Sequence, residues 1–175
     1  MKLRLFHAKI LSAPDAEPFD GELHIEGGKI VYAGSTDSAK DFSADREVDC
    51  GGNLLMSGFC NAHAHSAMCL FRGIADDLPL EDWLYDRIFP LEKNLTQDDV
   101  YWGTMLQIAE YVRNGITCVA DMYFYPEAVV AAAKNADLCL ALCYPSNSYA
   151  KGDILAEIEK NYLLYSTMSD RIRYF

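Results

Sequence analysis

Leu55-Met56-Ser57-Gly58-Phe59-Cys60-Asn61-Ala62-His63-Ala64-His65 is the stretch on which the reading of this chain turns. It begins as an apolar run of strand length and ends on two histidines two positions apart. Side chains two apart on a strand point to the same face. Two imidazoles on one face at a strand's end can share a divalent ion; this donor type suits zinc, with iron as a substitute. An isolated H-x-H has a second reading, two polar side chains that are solvated or hydrogen-bonded at a strand end.

Upstream, residues 1–55 read as all-β. Leu3 to Ile10, Glu22 to Glu26 and Lys29 to Ala33 are strand candidates, and Glu47 to Asp49 is a shorter one. Gly27-Gly28 predicts a tight hairpin, because both turn residues can take positive φ. Downstream the pattern changes. Residues 55–62 predict a buried strand. Leu80 to Leu95 is helical in pattern, with Pro90 forcing a kink or break. Thr96 predicts a capped helix start, with Asp99 in the capping-box position. Val100, Met105, Ile108, Ala109 and Val112 supply that helix's apolar face, and Asn114-Gly115 ends it. Strand candidates follow at Ile116–Ala120, Leu138–Cys143 and Arg171–Phe175, with helices over Pro126–Asn135 and Asp153–Met168 between them.

Strands alternating with helices imply βαβ units and a parallel sheet. A (β/α)₈ barrel takes ~250 residues, and roughly 120 lie after residue 55. The expectation is therefore an α/β chain: part of a small β-sandwich domain over residues 1–55, then the first half of a TIM-like barrel over residues 56–175. In such a barrel the end of the first strand, with its two histidines, opens on the active-site mouth. An open half-barrel exposes strand edges and an unpacked inner face. Aggregation, or association with a second copy or a complementary fragment, is then expected. Cys118, Val119, Leu138, Leu140 and Leu142 lie in the strands at risk.

Fifteen basic and 26 acidic residues give a net charge of −11. That balance argues against nucleic acid and anionic membrane as partners, since phosphate binding needs clustered Lys or Arg. No run resembles a transmembrane helix or signal peptide, and a cytoplasmic location is expected. The six cysteines form no C-x-x-C pair, and several sit in apolar runs; free thiols are expected. His7 and His24, in the β region, receive no role.

The histidine stretch resembles the P-G-F-x-N-x-H-x-H segment of the amidohydrolase superfamily, with Ser57 in place of the usual proline. The run from Met68 to Leu84, Met-Cys-Leu-Phe-Arg-Gly-Ile-Ala-Asp-Asp-Leu-Pro-Leu-Glu-Asp-Trp-Leu, narrows the likeness. It is similar to the M-x-L-x-R-G-x-A-D-D-L-P-L-x-x-W-L run of the 5'-methylthioadenosine/S-adenosylhomocysteine deaminases, part of which the triazine chlorohydrolases share. Ile88-Phe89-Pro90-Leu91-Glu92 continues it. The resemblance implies that His63 and His65 are metal ligands, that Trp83 lines a nucleoside pocket and that Glu92 binds ribose hydroxyls. An indole face suits a purine or thioether, and a carboxylate can accept from vicinal hydroxyls. A core aromatic and a solvated helix-end charge are the plainer readings of these two residues.

The implied activity is metal-dependent hydrolytic deamination of S-adenosylhomocysteine, methylthioadenosine or adenosine, with zinc, or iron, as the ion. The alternatives are a related amidohydrolase acting on guanine, cytosine or a triazine, and a non-catalytic half-barrel. The signature of the cytidine-deaminase fold is absent. The family draws two further histidines, a proton-shuttling glutamate and a metal-binding aspartate from later strands. No histidine follows His65, so no catalytic residue is assigned within this chain, and a truncated product is the expectation. Arg72 is expected to tie its loop down by an ion pair. Asp76 and Asp77, in the loop near the expected mouth, are read as shaping a lid or as ordinary solvated loop residues; Asp121 is read as supporting the metal ligands from behind or as a strand-end turn residue.

Overall fold

Lys2–Ile10 (β1) is the hub of the N-terminal sheet in the computed structural model, which describes residues 1–143, 154–166 and 168–174. Phe19–Glu26 (β2) pairs antiparallel with β1, and Lys29–Gly34 (β3) with β2. Gly27 and Gly28 make the β2–β3 turn at φ +59° and +79°, where a side chain would be strained. Arg46–Asp49 (β4) and Leu54–Leu55 (β5) run parallel to β1, which gives the order β3-β2-β1-β4 with β5 also on β1.

Within this sheet, two departures from the sequence reading go beyond a one-residue shift of a strand end. Strand β2 starts at Phe19 instead of Glu22, because Phe19, Asp20 and Gly21 pair with Ile10, Lys9 and Ala8. Gly21 is a poor strand former, yet a Cβ there would lie 2.3 Å from the Gly34 carbonyl oxygen, so close backbone approach decides the residue. Leu55 also belongs to this sheet and not to the histidine strand, because its partner is Ile10. The buried part of this sheet is partly charged. Glu22 is 1% exposed and His24 3%. Arg4 donates to Glu22 at 2.6 and 3.2 Å, and His24 Nε2 sits 2.7 Å from Glu22 Oε1.

The chain divides into two compact units, Met1–Ser57 and Gly58–Phe175. In the second, Phe59–Ala64 (β6) leads into a 3₁₀ turn over Ser66–Phe71. Three helical pieces then run on from Leu80–Asp82 (α1) through a π-helical turn at Trp83–Ile88 to Phe89–Glu92 (α2). Pro90 follows the π turn, where the loosened backbone ladder tolerates a residue with no N–H. Gln97–Arg113 (α3) is capped as expected: Thr96 Oγ1 accepts from Asp99 N–H, and Asp99 Oδ2 accepts from Thr96 N–H. Gly115 ends it at φ +74°.

Ile116–Met122 (β7), Pro126–Asn135 (α4), Cys139–Cys143 (β8), Ile154–Tyr165 (α5) and Ile172–Tyr174 (β9) complete a parallel sheet ordered β6-β7-β8-β9. Asp153, Thr167 and Phe175, included in the expected elements, lie outside the described residues.

One face of this sheet is the core. Val119, Leu140, Leu142 and Ile172 pack there with Val100 and Ile108 of α3 and Val129 and Val130 of α4. Val119, Leu138, Leu140 and Leu142 are thus buried, contrary to the expectation that they lose their packing wall. Their alternation turns them to the helices. The histidine strand itself is less buried than expected, with Phe59 58% exposed, because β6 is an edge strand paired only with β7 among the described residues.

Helix α3 buries Val100 and Ile108 and packs Met105 against the core as its apolar residues suggest, but not Ala109 and Val112. Val100, Gly103, Thr104, Ile108 and Tyr111 are buried, whereas Ala109 is exposed and Val112 is 61% exposed. Gly103 allows close approach: a Cβ there would lie 3.0 to 3.1 Å from Leu70 and the Ala67 carbonyl. Small residues and a hydrogen-bonded tyrosine set this interface. All six cysteines are free thiols.

Candidate active site

His63 and His65 both project from the end of β6, and their Nε2 atoms lie 3.2 Å apart. The rings are nearly perpendicular, at 86°. His65 Nδ1 lies 2.7 Å from the Met122 carbonyl oxygen. A carbonyl only accepts, so Nδ1 carries a proton, and Nε2 is the nitrogen left facing His63. Two nitrogens this close need a proton or a cation between them. Two Zn–N bonds of ~2.0–2.1 Å at a tetrahedral angle set their nitrogens about 3.4 Å apart. The spacing and the carbonyl-held tautomer therefore fit a metal pair.

A buried polar chain stands behind the histidines. Ser66 N–H donates to both Asp121 carboxylate oxygens at 3.3 Å, and Ser66 Oγ lies 3.1 Å from the Tyr111 hydroxyl. These contacts pin the residue that follows His65. Burial pushes the Asp121 carboxyl above the ordinary carboxylate range, opposed by its bonds to Ser66. Asp121 thus sits buried inside β7 beneath the histidine turn, and is not the strand-end turn residue that was its plainer reading.

His65 also borders a cavity of about 220 Å³ whose walls include Trp83, Ile88, Glu92, Met122 and Tyr123. The structure thus brings His65, Trp83 and Glu92 to one cavity, with His63 against His65. Trp83 occupies the first position of the π-helical turn. The Tyr123 hydroxyl donates to Glu92 Oε1 at 2.9 Å. Burial lifts the Glu92 carboxyl above its usual range, while the Tyr123 bond and the charge of His65 draw it down. Burial lifts the Tyr123 phenol well above its ordinary value, with the Glu92 carboxylate adding to the effect.

Asp76 and Asp77 lie exposed in the loop between β6 and α1. Arg72 does hold that loop, donating twice to Glu110 at 2.8 Å. Among the described residues no group of three or more His, Cys, Asp or Glu side chains is placed to hold a metal, so the donor set is the histidine pair. Ser66, Tyr111, Met122 and Tyr123 were not found from sequence. For Met122 and Tyr123 a signal existed, since residues at the C-terminal ends of parallel barrel strands gather at the mouth.

The amidohydrolase family model matches residues 54–170. The chain belongs to the amidohydrolase family. It is 49% identical over 127 residues to a 5-methylthioadenosine/S-adenosylhomocysteine deaminase of Syntrophobacter fumaroxidans, covering 71% of this chain and 29% of that protein. It is 46% identical over 125 residues to a 5'-deoxyadenosine deaminase of Methanococcoides burtonii, covering 71% and 28%. Among solved structures, a zinc-bound adenosine deaminase from Xanthomonas campestris superposes with a TM-score of 0.86 at 30% identity, over 98% of this chain and 41% of that one. A triazine hydrolase from Arthrobacter aurescens shares the fold, with a TM-score of 0.84 at 18% identity over 99% and 45%. The chain thus spans under a third of these two curated relatives. Its α/β architecture is that of the first half of the amidohydrolase barrel, with part of the small β domain before it.

Proposed function

We propose that this chain supplies the first two metal ligands and the nucleoside pocket of a hydrolytic deaminase acting on adenine nucleosides: S-adenosylhomocysteine, methylthioadenosine or adenosine. The observation that carries this reading is the 3.2 Å histidine pair, one member of which borders the same cavity as Trp83 and Glu92. His63 and His65 would hold zinc, or iron, through Nε2, together with ligands from the rest of the complete protein. When bound, the ion lowers the pKa of a water so that it can displace ammonia from the purine ring.

The chain's own residues bind and orient. Met122 fixes the tautomer of His65. Trp83 offers an indole face to the purine or to an apolar 5' substituent. Glu92 accepts from the ribose hydroxyls, which favours a nucleoside over a bare base or a triazine, since those carry no hydroxyl pair. No proton shuttle is assigned to this chain. A reducing, cytoplasmic setting agrees with six free thiols.

The test has two arms. Zinc affinity of the chain is measured by competition with a chromogenic chelator, for the wild type and for His63→Ala and His65→Ala. Each substitution should lower it more than tenfold, and an unchanged affinity removes the metal role. In the complete protein, Glu92→Gln should weaken inosine far more than hypoxanthine. Equal losses remove the ribose role.

A further inference from the structure

Residues 122–125 run from the end of β7 to the start of α4, and two of their side chains reach back to the segment that carries Glu92. Tyr123 is 3% exposed, its ring lies within the buried core, and its hydroxyl reaches Glu92 Oε1 across 31 positions of sequence. Tyr125 makes a parallel link. It takes a left-handed φ of +52°, and its hydroxyl donates to the Leu95 carbonyl at 3.2 Å. Two phenols from alternate residues thus reach the same segment. One holds a side-chain carboxylate that borders the cavity, and the other holds backbone.

A carboxylate on a flexible stem must be fixed before it can discriminate between ligands; otherwise ligand binding bears the cost of ordering it. The phenol O–H occupies one acceptor position of Oε1 and sets the rotation of the whole group, leaving Oε2 for an incoming donor. Against a carboxylate this phenol can only donate. Its core-packed ring allows little movement, so the carboxylate's position is inherited from the sheet.

We propose that Tyr123 is a positioning residue that orients Glu92 and so sets the preference of the cavity for ligands bearing vicinal hydroxyls. This rests on the nucleoside reading of the cavity. It adds that selectivity originates in the residue directly after β7, the strand whose terminal Met122 carbonyl also holds His65. One short stretch therefore fixes both the histidine and the carboxylate that face the cavity.

The experiment measures dissociation constants of inosine and hypoxanthine for the complete protein. Both are deamination products, so neither is turned over. Tyr123→Phe removes one oxygen and keeps the ring. It should lower the inosine-to-hypoxanthine preference about tenfold, as expected for a hydrogen bond to a charged group, with hypoxanthine binding nearly unchanged. In a Glu92→Gln background the same substitution should change the preference less than twofold, because the two residues act as one unit. Tyr125→Phe, which loosens the segment without touching the carboxylate, should leave the preference unchanged. If Tyr123→Phe fails to fold, Glu92→Asp breaks the same bond by one methylene and should give a similar loss.

The proposal is overturned if Tyr123→Phe weakens both ligands equally, or if its effect on preference persists in the Glu92→Gln background. If Glu92→Gln alone leaves the preference intact, the ribose role of Glu92 falls and the proposal falls with it. If Glu92→Gln lowers the preference and Tyr123→Phe does not, only the positioning role of Tyr123 is lost.

Discussion

Replacing Arg4 by Met should destabilise the N-terminal sheet by about 2–3 kcal/mol and reverse the sign of Glu22's contribution to its pH dependence. In the native sheet Glu22 is 1% exposed and takes two hydrogen bonds from the Arg4 guanidinium and one contact from His24. Removing one partner of a buried ion pair costs roughly 3–5 kcal/mol. The Arg4 side chain is 30% exposed, so water reaches the vacated position and lowers the cost to about 2–3 kcal/mol, at or just below the bottom of that range. The Arg4 hydrogen bond is the largest influence holding the Glu22 carboxyl below its ordinary range, and burial opposes it. A carboxyl lowered by folding contributes stability above its unfolded pKa and loses it as pH falls through the folded value. In Arg4→Met burial prevails, the folded value rises above the unfolded one, and stability then falls as pH rises through the carboxylate range. Urea unfolding of the whole chain between pH 4 and 7.5, with amide exchange of β1 and β2 as the local readout, measures both effects. Glu22→Gln in the same background should restore most of the loss by removing the buried charge. A loss under about 0.5 kcal/mol at pH 7 with an unchanged pH slope would refute the reasoning.

Two further substitutions test the second unit. Thr96→Ala removes the cap of α3 and should cost about 1 kcal/mol in thermal unfolding. Thr96 also holds the Asp99 carboxyl below its usual range, so the wild-type cap should weaken as pH falls through that lowered value, while Thr96→Ala should flatten this dependence. Gly58→Ala places a Cβ 2.3 Å from Thr117 Oγ1 and 2.9 Å from its Cβ. It should cost about 1–3 kcal/mol through overpacking, with partial rescue by Thr117→Ala. An unshifted midpoint in the single variant would mean that β6 and β7 separate more easily than their packing indicates.

The sequence by itself determined whatever depends on neighbours a few positions apart. The Gly27-Gly28 turn, the Thr96–Asp99 cap and the Asn114-Gly115 stop are local chemistry, and all three stand in the structure. The alternation of strands and helices after residue 55 specified a parallel sheet because parallel strands need crossovers. The convergence of His63 and His65 was legible for the same reason, since an i, i+2 spacing turns both side chains the same way at a strand's end, although His65 lies one residue past β6.

Tertiary structure decided what depends on residues far apart. The carbonyl that fixes His65 comes from Met122, 57 positions away, and the hydroxyl that holds Glu92 comes from Tyr123. Neither bond leaves a periodic trace, because a backbone carbonyl belongs to every residue type and a tyrosine after a strand reads as core. The buried face of α3 was read correctly at Val100 and Ile108 but misjudged at Ala109 and Val112, because burial there follows close approach at Gly103 and the satisfied hydroxyl of Tyr111, neither of which a count of aliphatic side chains detects. Leu55 was read both as the end of the β region and as the start of the histidine strand, because an apolar residue fits either, and only its pairing with Ile10 chooses. Local periodicity records which way a side chain points from its own element; what it meets there is set by the register and packing of elements distant in the chain.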